Sequence, residues 1–394
     1  MKFLRNYLNK IKPKFEEGGK LKAFRSLFDG FETFLFVPND TSKNGVNIHD
    51  AIDSKRIMSL VVIALMPAML LGMYNIGLQN AIAAGTAATT GWFDMFMFGL
   101  LVMLPKIAVS YIVGLGIEFT VAQWKKEEIH EGFLVSGIII PMIVPVGCPL
   151  WILAVATAFA VIFAKEVFGG TGMNIVNVAL IARAFIFFAY PSVISGDGVW
   201  VATESVCGFG YDVVDGYTCA TALQHVANGA AITGADASVT LSVSEMLFGF
   251  MPGSIGETSV VAIAIGAVIL LWTGVASWKT MLSVFVGGIA MLFVFEDKLP
   301  AAMPIWHHLL LGGFCFGAVF MATDPVTSAR TETGKYIYGF GIGAMTIIIR
   351  VLNPGYPEGM MLAILLMNVT APFIDYCVVQ SNVSARAKRL TKKN

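Results

Sequence analysis

The sequence is poor in charge, since only 13% of its 394 residues are Asp, Glu, Lys or Arg, against about a quarter in soluble domains. Its five cysteines include no CxxC pair, which argues against iron–sulfur and structural zinc sites. No GxxxxGK[ST] run is present and no Rossmann spacing follows a predicted strand. NAD and ATP sites are therefore expected on other chains, and no nucleic-acid partner is expected.

An early apolar run is also missing. The first 56 residues are charged and irregular, whereas a secretory signal places its apolar core within roughly the first 15–30 residues. The segment 193–257 contains no Lys or Arg. It holds Cys207 and Cys219, and two interpretations stay open: a disulfide, if the segment faces an oxidising compartment, or two unpaired cysteines.

Long apolar runs dominate what is present. The chain is 56% hydrophobic with a mean hydropathy of +0.74, and about 20 apolar residues suffice to cross a bilayer. The pattern predicts an all-α polytopic membrane protein with about ten transmembrane helices. Two shorter apolar pieces, 92–104 and 241–251, are predicted as re-entrant or interfacial half-helices. The predicted spans are 57–77, 106–124, 133–148, 150–168, 174–192, 258–276, 279–296, 306–322, 336–352 and 359–379.

Basic residues near the span ends predict the orientation. Residues 1–30 contain eight Lys and Arg, and the tail after the last span is basic too, so both termini are predicted to be cytoplasmic. Five spans on each side of the long outer loop then require two halves of opposite orientation, as in inverted repeats. The predicted regions are an arm (1–56), a first five-helix repeat (57–192), an extracytoplasmic loop (193–257), a second five-helix repeat (258–379) and a basic tail (380–394).

The N-terminal arm alternates basic residues with Phe and Leu at helical spacing. Phe3, Leu4, Tyr7, Leu8 and Ile11 form one such set. This pattern is typical of an amphipathic helix lying in the membrane interface. It fits either a platform over a site near the cytoplasmic leaflet or a plain anchor or docking arm.

The run KEVFGGTGMNIVNVALIARAF, residues 165–185, is rich in turn and amide residues. Three glycines break the chain between two spans, and Thr171 is a candidate helix cap. Asn174 and Asn177 share a helix face, where their amides can bond either a planar heterocycle or neighbouring helices. Arg183 lies deeper in the span and requires a carboxylate or carbonyl partner.

Several acids lie near or inside predicted spans. Asp324, before Pro325, predicts a helix stop with the carboxylate turned towards the bundle. Asp375 lies seven residues after Asn368, which predicts hard oxygen ligands for a small cation on one helix face. Further acids are Glu131, which opens a span near Gly132 and Gly137, and Glu118 and Glu358, which are interpreted as snorkelling or paired structural charges.

The stretch DGYTCATALQ, residues 215–224, is small and polar within the long loop. A threonine hydroxyl is a poor nucleophile alone, and no catalytic arrangement surrounds Thr218 or Thr221. The plain interpretation is a helix start, with Asp215 or Thr218 as the cap and ATALQHVA as the helix. That interpretation leaves the presence of both threonines unexplained.

The sequence resembles the B subunits of bacterial sodium-translocating NADH:quinone oxidoreductases over nearly its whole length. Asp215, Thr218, Ala220 and Thr221 match the family's Asp-x-x-Ser/Thr-Gly-Ala-Thr motif, and Cys219 stands where glycine is usual. Similar runs include PKFEEGGK, EGFLVSGIIIPMIVP, KEVFGGTGMNIVN, ARAFIFFAYP, MPGSIGETS, MATDPV and NPGYPEGMMLAILLMNVTAPFIDY.

The resemblance implies a subunit of a respiratory pump in the bacterial inner membrane. NADH is oxidised on another subunit, and electrons pass through FMN and a non-covalent riboflavin to ubiquinone, coupled to outward Na⁺ transport. It implies that a flavin transferase attaches FMN to Thr221, and it suggests Asn174 and Asn177 as riboflavin contacts. The arm and the Glu131–Gly137 region are the implied quinone vicinity, and Asp375 and Glu131 are implied in sodium handling.

Other classes remain open at this point. The D subunit of the Rnf complex shares the flavin motif but typically lacks the long arm. A flavin-free secondary transporter or a cofactor-free scaffold fits the composition equally well. Covalent flavin on the chain excludes the last two.

Overall fold

The computed structural model describes residues 2–15, 28, 32, 45, 54–125, 132–214, 217–228, 242–299, 307–353 and 358–391. Within these ranges the chain is helical, and its one extended pairing is an isolated bridge between Val206 and Phe209. The helices are α1 (Lys2–Ile11), α2 (Ser54–Ala83), α3 (Trp92–Lys125), α4 (Phe133–Ile143), α5 (Leu150–Ala160), α6 (Val178–Ala189), α7 (Pro191–Ile194), α8 (Ala222–Ala227), α9 (Val243–Phe248), α10 (Val260–Trp272), α11 (Trp278–Val294), α12 (His307–Leu310), α13 (Phe314–Phe316), α14 (Glu332–Leu352) and α15 (Met360–Thr391).

Four of the described helices are long and apolar enough to cross a membrane: α2, α3, α14 and α15. Four shorter apolar helices, α4, α6, α10 and α11, pack among them. The prediction of an all-α, multi-pass membrane protein is therefore confirmed. The count of ten spans and the inverted repeat stay predictions.

The predicted half-helix at 92–104 is wrong. Residues 92–125 form one continuous helix, α3, with Pro105 inside it. Pro105 suggested a boundary, but a proline removes only one helical hydrogen bond, and neighbouring groups compensate in membrane helices. The second short piece is confirmed as a short helix, since α9 ends at Gly249 in the left-handed conformation.

Two predicted spans are shorter or more broken than their apolar runs. The run 133–148 is helical only to Ile143, because Val144 precedes Pro145 and takes an extended conformation. The run 306–322 is divided into α12 and α13, with Gly312 at φ +63° between them. Apolar length alone gave no sign of these breaks.

A π-helical turn lies before a loop in each predicted half. Helix α5 continues as a π-helix over Val161–Glu166, and α13 continues as one over Gly317–Met321. Single π-helical turns are rare and frequently mark functional sites. The loops that follow carry the GGTGMNIVN and ATDPV runs.

Close backbone approach at glycine joins helix pairs in both halves. A Cβ on Gly99 in α3 would lie 1.8 Å from the Met73 carbonyl oxygen of α2. In the second half, a Cβ on Gly343 in α14 would lie 2.0 Å from the Val284 carbonyl oxygen of α11. Small residues allow such approach in membranes, where packing drives helix association.

The structure at the two ends of the chain agrees partly with the predicted amphipathic arm and basic tail. Helix α1 confirms a helix over the first predicted amphipathic set, with Leu8 buried and Tyr7 exposed. Helix α15 continues to Thr391, so no break separates the last span from the predicted tail. Glu131, Asp215 and most of the arm after Phe15 lie outside the described residues.

Candidate functional site

A cavity with a mostly apolar lining and several polar side chains opens where the two loops after the π-helical turns meet. Its volume is about 90 Å³, several times the roughly 10–15 Å³ that one water molecule requires. A wider cavity of about 630 Å³ adjoins it and shares four lining residues with it. The polar residues that line the smaller cavity are Ser136, Lys165, Thr171, Asn174, Asn177, Thr323 and Asp324.

Asn177 connects the two loops. Its Oδ1 accepts the backbone N–H groups of Ala179 and Leu180 at 3.0 and 3.3 Å, so Asn177 caps α6, and the predicted cap at Thr171 is wrong. Its Nδ2 donates to Asp324 Oδ2 at 3.5 Å. The structure thus brings Asn174, Asn177 and Asp324 to one cavity, although they lie far apart in sequence.

Asp324 holds the second loop in place. Its carboxylate accepts the Val326 N–H at 3.1 Å and the Thr327 hydroxyl at 2.9 Å, which confirms a carboxylate turned inward at a helix stop. Burial raises the pKa of Asp324, and the bonds from Val326, Thr327 and Asn177 oppose that shift. The cavity therefore presents an acid with bonds to hydroxyl, backbone and amide donors.

A buried ion pair forms one wall of the cavity. Lys165 lines the cavity and donates to Glu118 of α3, and both side chains are almost fully buried. Glu166 next to it lies 3.7 Å from Lys125. The interpretation of Glu118 as a paired structural charge is confirmed.

Thr221 lies at the start of the short helix α8. Its hydroxyl oxygen accepts the Gln224 N–H at 3.3 Å, so Thr221 is the cap and the predicted cap at Thr218 is wrong. The helix begins at Ala222 because Thr221 itself is extended, with ψ 155°. No disulfide joins Cys207 and Cys219, and Cys219 is buried.

A cavity of about 30 Å³ adjoins Thr221 and is lined by two carboxylates, Glu257 and Glu358. Arg183 binds both: it donates to Glu257 at 3.1 Å and to Glu358. It also donates to the carbonyl oxygen of Ile143 at the end of α4. The prediction that Arg183 has a carboxylate or carbonyl partner is confirmed, and so is the interpretation of Glu358 as a paired charge.

Asp375 and Asn368 lie on one helix but in different networks. The Asp375 carboxylate accepts the N–H groups of Arg330 and Thr331 and the Thr331 hydroxyl, at 2.8, 3.0 and 2.5 Å. Asn368 Oδ1 accepts the Tyr338 hydroxyl at 2.6 Å. The structure does not bring the two residues together as a ligand set.

Gly137 packs against an aromatic ring. A Cβ at this position would lie 2.7 Å from Tyr111 Cε1, and the Tyr111 hydroxyl is fixed by a 2.5 Å bond to the Leu134 carbonyl oxygen. We expect Gly137→Ala to lower the free energy of unfolding by about 1–3 kcal/mol, the usual cost of overpacking. Thermal unfolding of the purified chain in detergent measures this.

A matched control is Gly116→Ala in α3. A Cβ there meets nothing within 4 Å, and alanine is a better helix former than glycine by about 0.8–1.0 kcal/mol. Gly116→Ala should therefore be neutral or stabilising. Equal destabilisation by the two substitutions would contradict the assignment of a specific contact between Gly137 and Tyr111.

Sequence reasoning did not single out Glu257 or Lys106. Glu257 precedes α10 in the run GSIGETS, and an acid just before a long apolar helix was the available signal. Lys106 was used only as a span boundary, although a lysine inside an apolar run is itself a signal for a specific partner.

The fold and these two cavities define a class: an all-helical, multi-pass membrane protein with a cavity near each end of α10 that includes polar side chains in its lining. The chain belongs to the NQR2, RnfD, RnfE family, whose model matches residues 41–384. The resemblance seen in the sequence is thereby confirmed.

Full-length relatives agree. The chain is 44% identical over 411 residues to the B subunit of the Na(+)-translocating NADH-quinone reductase of Chromohalobacter salexigens, covering 98% of this chain and 96% of that protein. It is 43% identical over 414 residues to the protein of the same name from Azotobacter vinelandii, covering 98% and 99%. With the Neisseria meningitidis serogroup B protein the identity is 41% over 416 residues, covering 98% and 99%.

Proposed function

We propose that this chain is the membrane-embedded B subunit of a bacterial sodium-translocating NADH:quinone reductase. In this proposal Thr221 carries FMN through a phosphoester, and the cavity at Asn174 and Asn177 holds riboflavin without a covalent bond. Electrons from NADH, oxidised on another subunit, reach ubiquinone through these flavins, and Na⁺ moves outward. The chain lies in the inner membrane with both termini in the cytoplasm, among lipid and other subunits, after a flavin transferase has modified it.

The observation that carries the proposal is the placement of the two cavities at opposite ends of α10. Thr258 lines the cavity beside Thr221, and Leu270 lines the cavity beside Asn177. The two residues are twelve positions apart in sequence, which corresponds to at most roughly 18 Å along the axis, at about 1.5 Å per helical residue. One carrier at each end would divide the route across the membrane into short steps.

The cavity lined by Asn174 and Asn177, called the inner cavity below, offers groups suited to a flat heterocycle with polar edges. Its walls include apolar side chains such as Ile139 and Phe320, which suit the faces of an aromatic ring. The amides of Asn174 and Asn177 supply donors for ring carbonyl oxygens. The wider adjoining cavity leaves room for a polyol chain. When bound, riboflavin supplies reversible electron storage, while these side chains bind and orient it.

The Thr221 hydroxyl suits attachment because it stands at an element boundary in a loop, where an enzyme can reach it. Asp215 and Thr218 precede it in the sequence motif and are proposed to belong to the transferase recognition site. Quinone binding is proposed near Gly137, Glu131 and the arm. Asp375 and Glu131 are proposed to act in sodium handling.

The inner flavin site is tested with Asn177→Ser. Serine still accepts N–H bonds at a helix start, so α6 keeps its cap, but the amide donor towards Asp324 is lost. We expect about a tenfold loss of non-covalent flavin affinity, corresponding to one hydrogen bond of roughly 1–1.5 kcal/mol. Flavin released from the purified complex by acid is quantified per chain.

Two variants control this experiment. Asn174→Ala should also lower the released flavin, because Asn174 lines the same cavity. Thr221→Asn should leave the released flavin unchanged and remove only the covalent flavin. Wild-type amounts of released flavin in both Asn177→Ser and Asn174→Ala would rule out this cavity as the riboflavin site.

A second candidate, a flavin-free secondary transporter, is favoured by one observation. Helices α4 and α12 are broken within predicted spans, as in transporters that bind ions at discontinuous helices. An Rnf-type D subunit shares the flavin sites and differs in its partners. Absence of both flavins from the purified complex would favour the transporter, and the identity of co-purifying subunits separates the two redox complexes.

A further inference from the structure

Lys106 is a buried cation inside a long apolar helix. It lies 14 residues after Trp92 and 19 residues before Lys125, the two ends of α3, and only 4% of it is exposed. An ammonium group this deep in a membrane helix is costly unless it is paired. In the described part of the chain it makes no ion pair with a carboxylate.

Its partners are backbone oxygens. Lys106 Nζ donates to the Pro145 carbonyl oxygen at 2.9 Å and also to the Val146 carbonyl oxygen. Both carbonyls belong to the irregular stretch 144–149, which follows the early end of α4. The ammonium therefore lies at the negative end of a short helix dipole, against two oxygens of a broken helix.

Other residues also form hydrogen bonds with the C-terminal end of α4 and with the stretch 144–149 that follows it. Arg183 and the Ser254 hydroxyl both donate to the Ile143 carbonyl oxygen, the latter at 3.3 Å. The Gly147 N–H donates to the Val199 carbonyl oxygen at 2.8 Å, which fixes the stretch against the long loop. The Pro145 and Val146 oxygens are thus held in place and converge on one positive charge.

We propose that the Pro145 and Val146 carbonyl oxygens form a monovalent cation site that the Lys106 ammonium occupies permanently. Unwound carbonyls at the end of a half-helix are the groups that coordinate Na⁺ in transporters with discontinuous helices. An ammonium group supplies the same single positive charge and bonds the same oxygens. The tethered charge fixes the broken end of α4 without any exchangeable ion.

Occupation of these two oxygens by the Lys106 ammonium does not depend on either flavin and affects where a mobile ion can pass. A site that holds a tethered cation is closed to a mobile one. The Na⁺ path of the pump then avoids the break after α4, even though this break has the chemistry of an ion site. The opposite end of α4 faces the inner cavity through Val135 and Ser136, so a loosened break would also disturb that cavity.

The test removes the ammonium and supplies a free cation. Lys106→Ala leaves the two oxygens and a vacated space, whereas Lys106→Met removes the charge and keeps the space filled. Thermal unfolding of the full chain is followed in choline chloride and then in NaCl, KCl or ethylammonium chloride at equal ionic strength. In choline we expect both variants to unfold several degrees below the wild type.

The effect of added cations on the unfolding temperature distinguishes Lys106→Ala from Lys106→Met. We expect Na⁺ or ethylammonium to restore at least half of the loss in Lys106→Ala, saturably, with no such response in Lys106→Met or the wild type. No restoration by any of these ions would overturn the proposal. If Lys106→Ala does not fold in choline, its recovery in NaCl supports the site, and failure in every salt overturns it. A Lys106→Met variant as stable as the wild type would also overturn it, because the charge would then contribute nothing.

Discussion

Thr221→Asn is expected to abolish covalent flavin on this chain while leaving the fold intact. Asparagine is as good a helix cap as threonine or better, so the bond to the Gln224 N–H is replaced. It has no hydroxyl to which a phosphate can be attached. The chain, expressed with its flavin transferase and run on a denaturing gel under ultraviolet light, should lose its fluorescent band completely.

The choice of asparagine removes an ambiguity that alanine leaves. Thr221→Ala deletes both the hydroxyl and the cap, and loss of a cap costs about 0.5–2 kcal/mol. A missing band could then reflect a melted α8. Thr221→Ser retains both functions and should stay fluorescent. A band that survives in Thr221→Asn would show that the flavin is attached elsewhere.

Substitution of Cys219 provides a related test, in which the intensity of the fluorescent band is compared with that of the wild type. This residue stands where the family motif has glycine, and its side chain is buried. Its backbone N–H donates to the Asp197 carbonyl oxygen at 2.7 Å, which holds the motif against the loop. We expect Cys219→Gly to be fluorescent at least as strongly as the wild type. No fluorescence in wild type or Cys219→Gly, with an active transferase, would return the transporter and scaffold interpretations to first place.

The contacts of a charged side chain could be predicted from the sequence where its residue type alone determines which partners it needs. The need of Arg183 for a carboxylate or carbonyl partner and the inward turn of Asp324 follow from the cost of burying charge, and both are confirmed. Helix ends were less readable. Pro105 lies within α3, whereas Pro145 follows the end of α4, so a proline in an apolar run does not by itself determine where a membrane helix ends.

The candidate sites themselves required the fold. Asn177 and Asp324 are 147 residues apart, and no periodicity relates them. Glu257 and Glu358 both contact Arg183 for the same reason: long-range packing brings α6 together with the residues that precede α10 and α15. The Asp375–Asn368 pairing failed in the opposite way. The two share a helix face, but neighbouring residues Thr331 and Tyr338 bind them separately.

Arg183→Met is expected to be among the most destabilising single changes in the chain. It removes a nearly fully buried cation and leaves Glu257 and Glu358 without it, and the Ile143 carbonyl loses the same donor. Breaking a buried ion pair by removing one partner costs about 3–5 kcal/mol, because the remaining charge stays in a low-dielectric environment. Thermal or denaturant unfolding of the purified complex measures the loss.

If stranded carboxylate charge causes the loss of stability in Arg183→Met, neutralising one carboxylate should restore part of it. In Arg183→Met/Glu257→Gln one carboxylate is neutral, so the double variant should be more stable than Arg183→Met alone. Lys279→Met is the matched control, since its partner Glu332 is 63% exposed and exposed pairs contribute at most about 1 kcal/mol. A double variant no better than the single one would mean that lost packing, not stranded charge, causes the defect. Because both acids line the cavity beside Thr221, recovery of stability without recovery of covalent flavin would assign Glu257 a role in presenting Thr221 to the transferase.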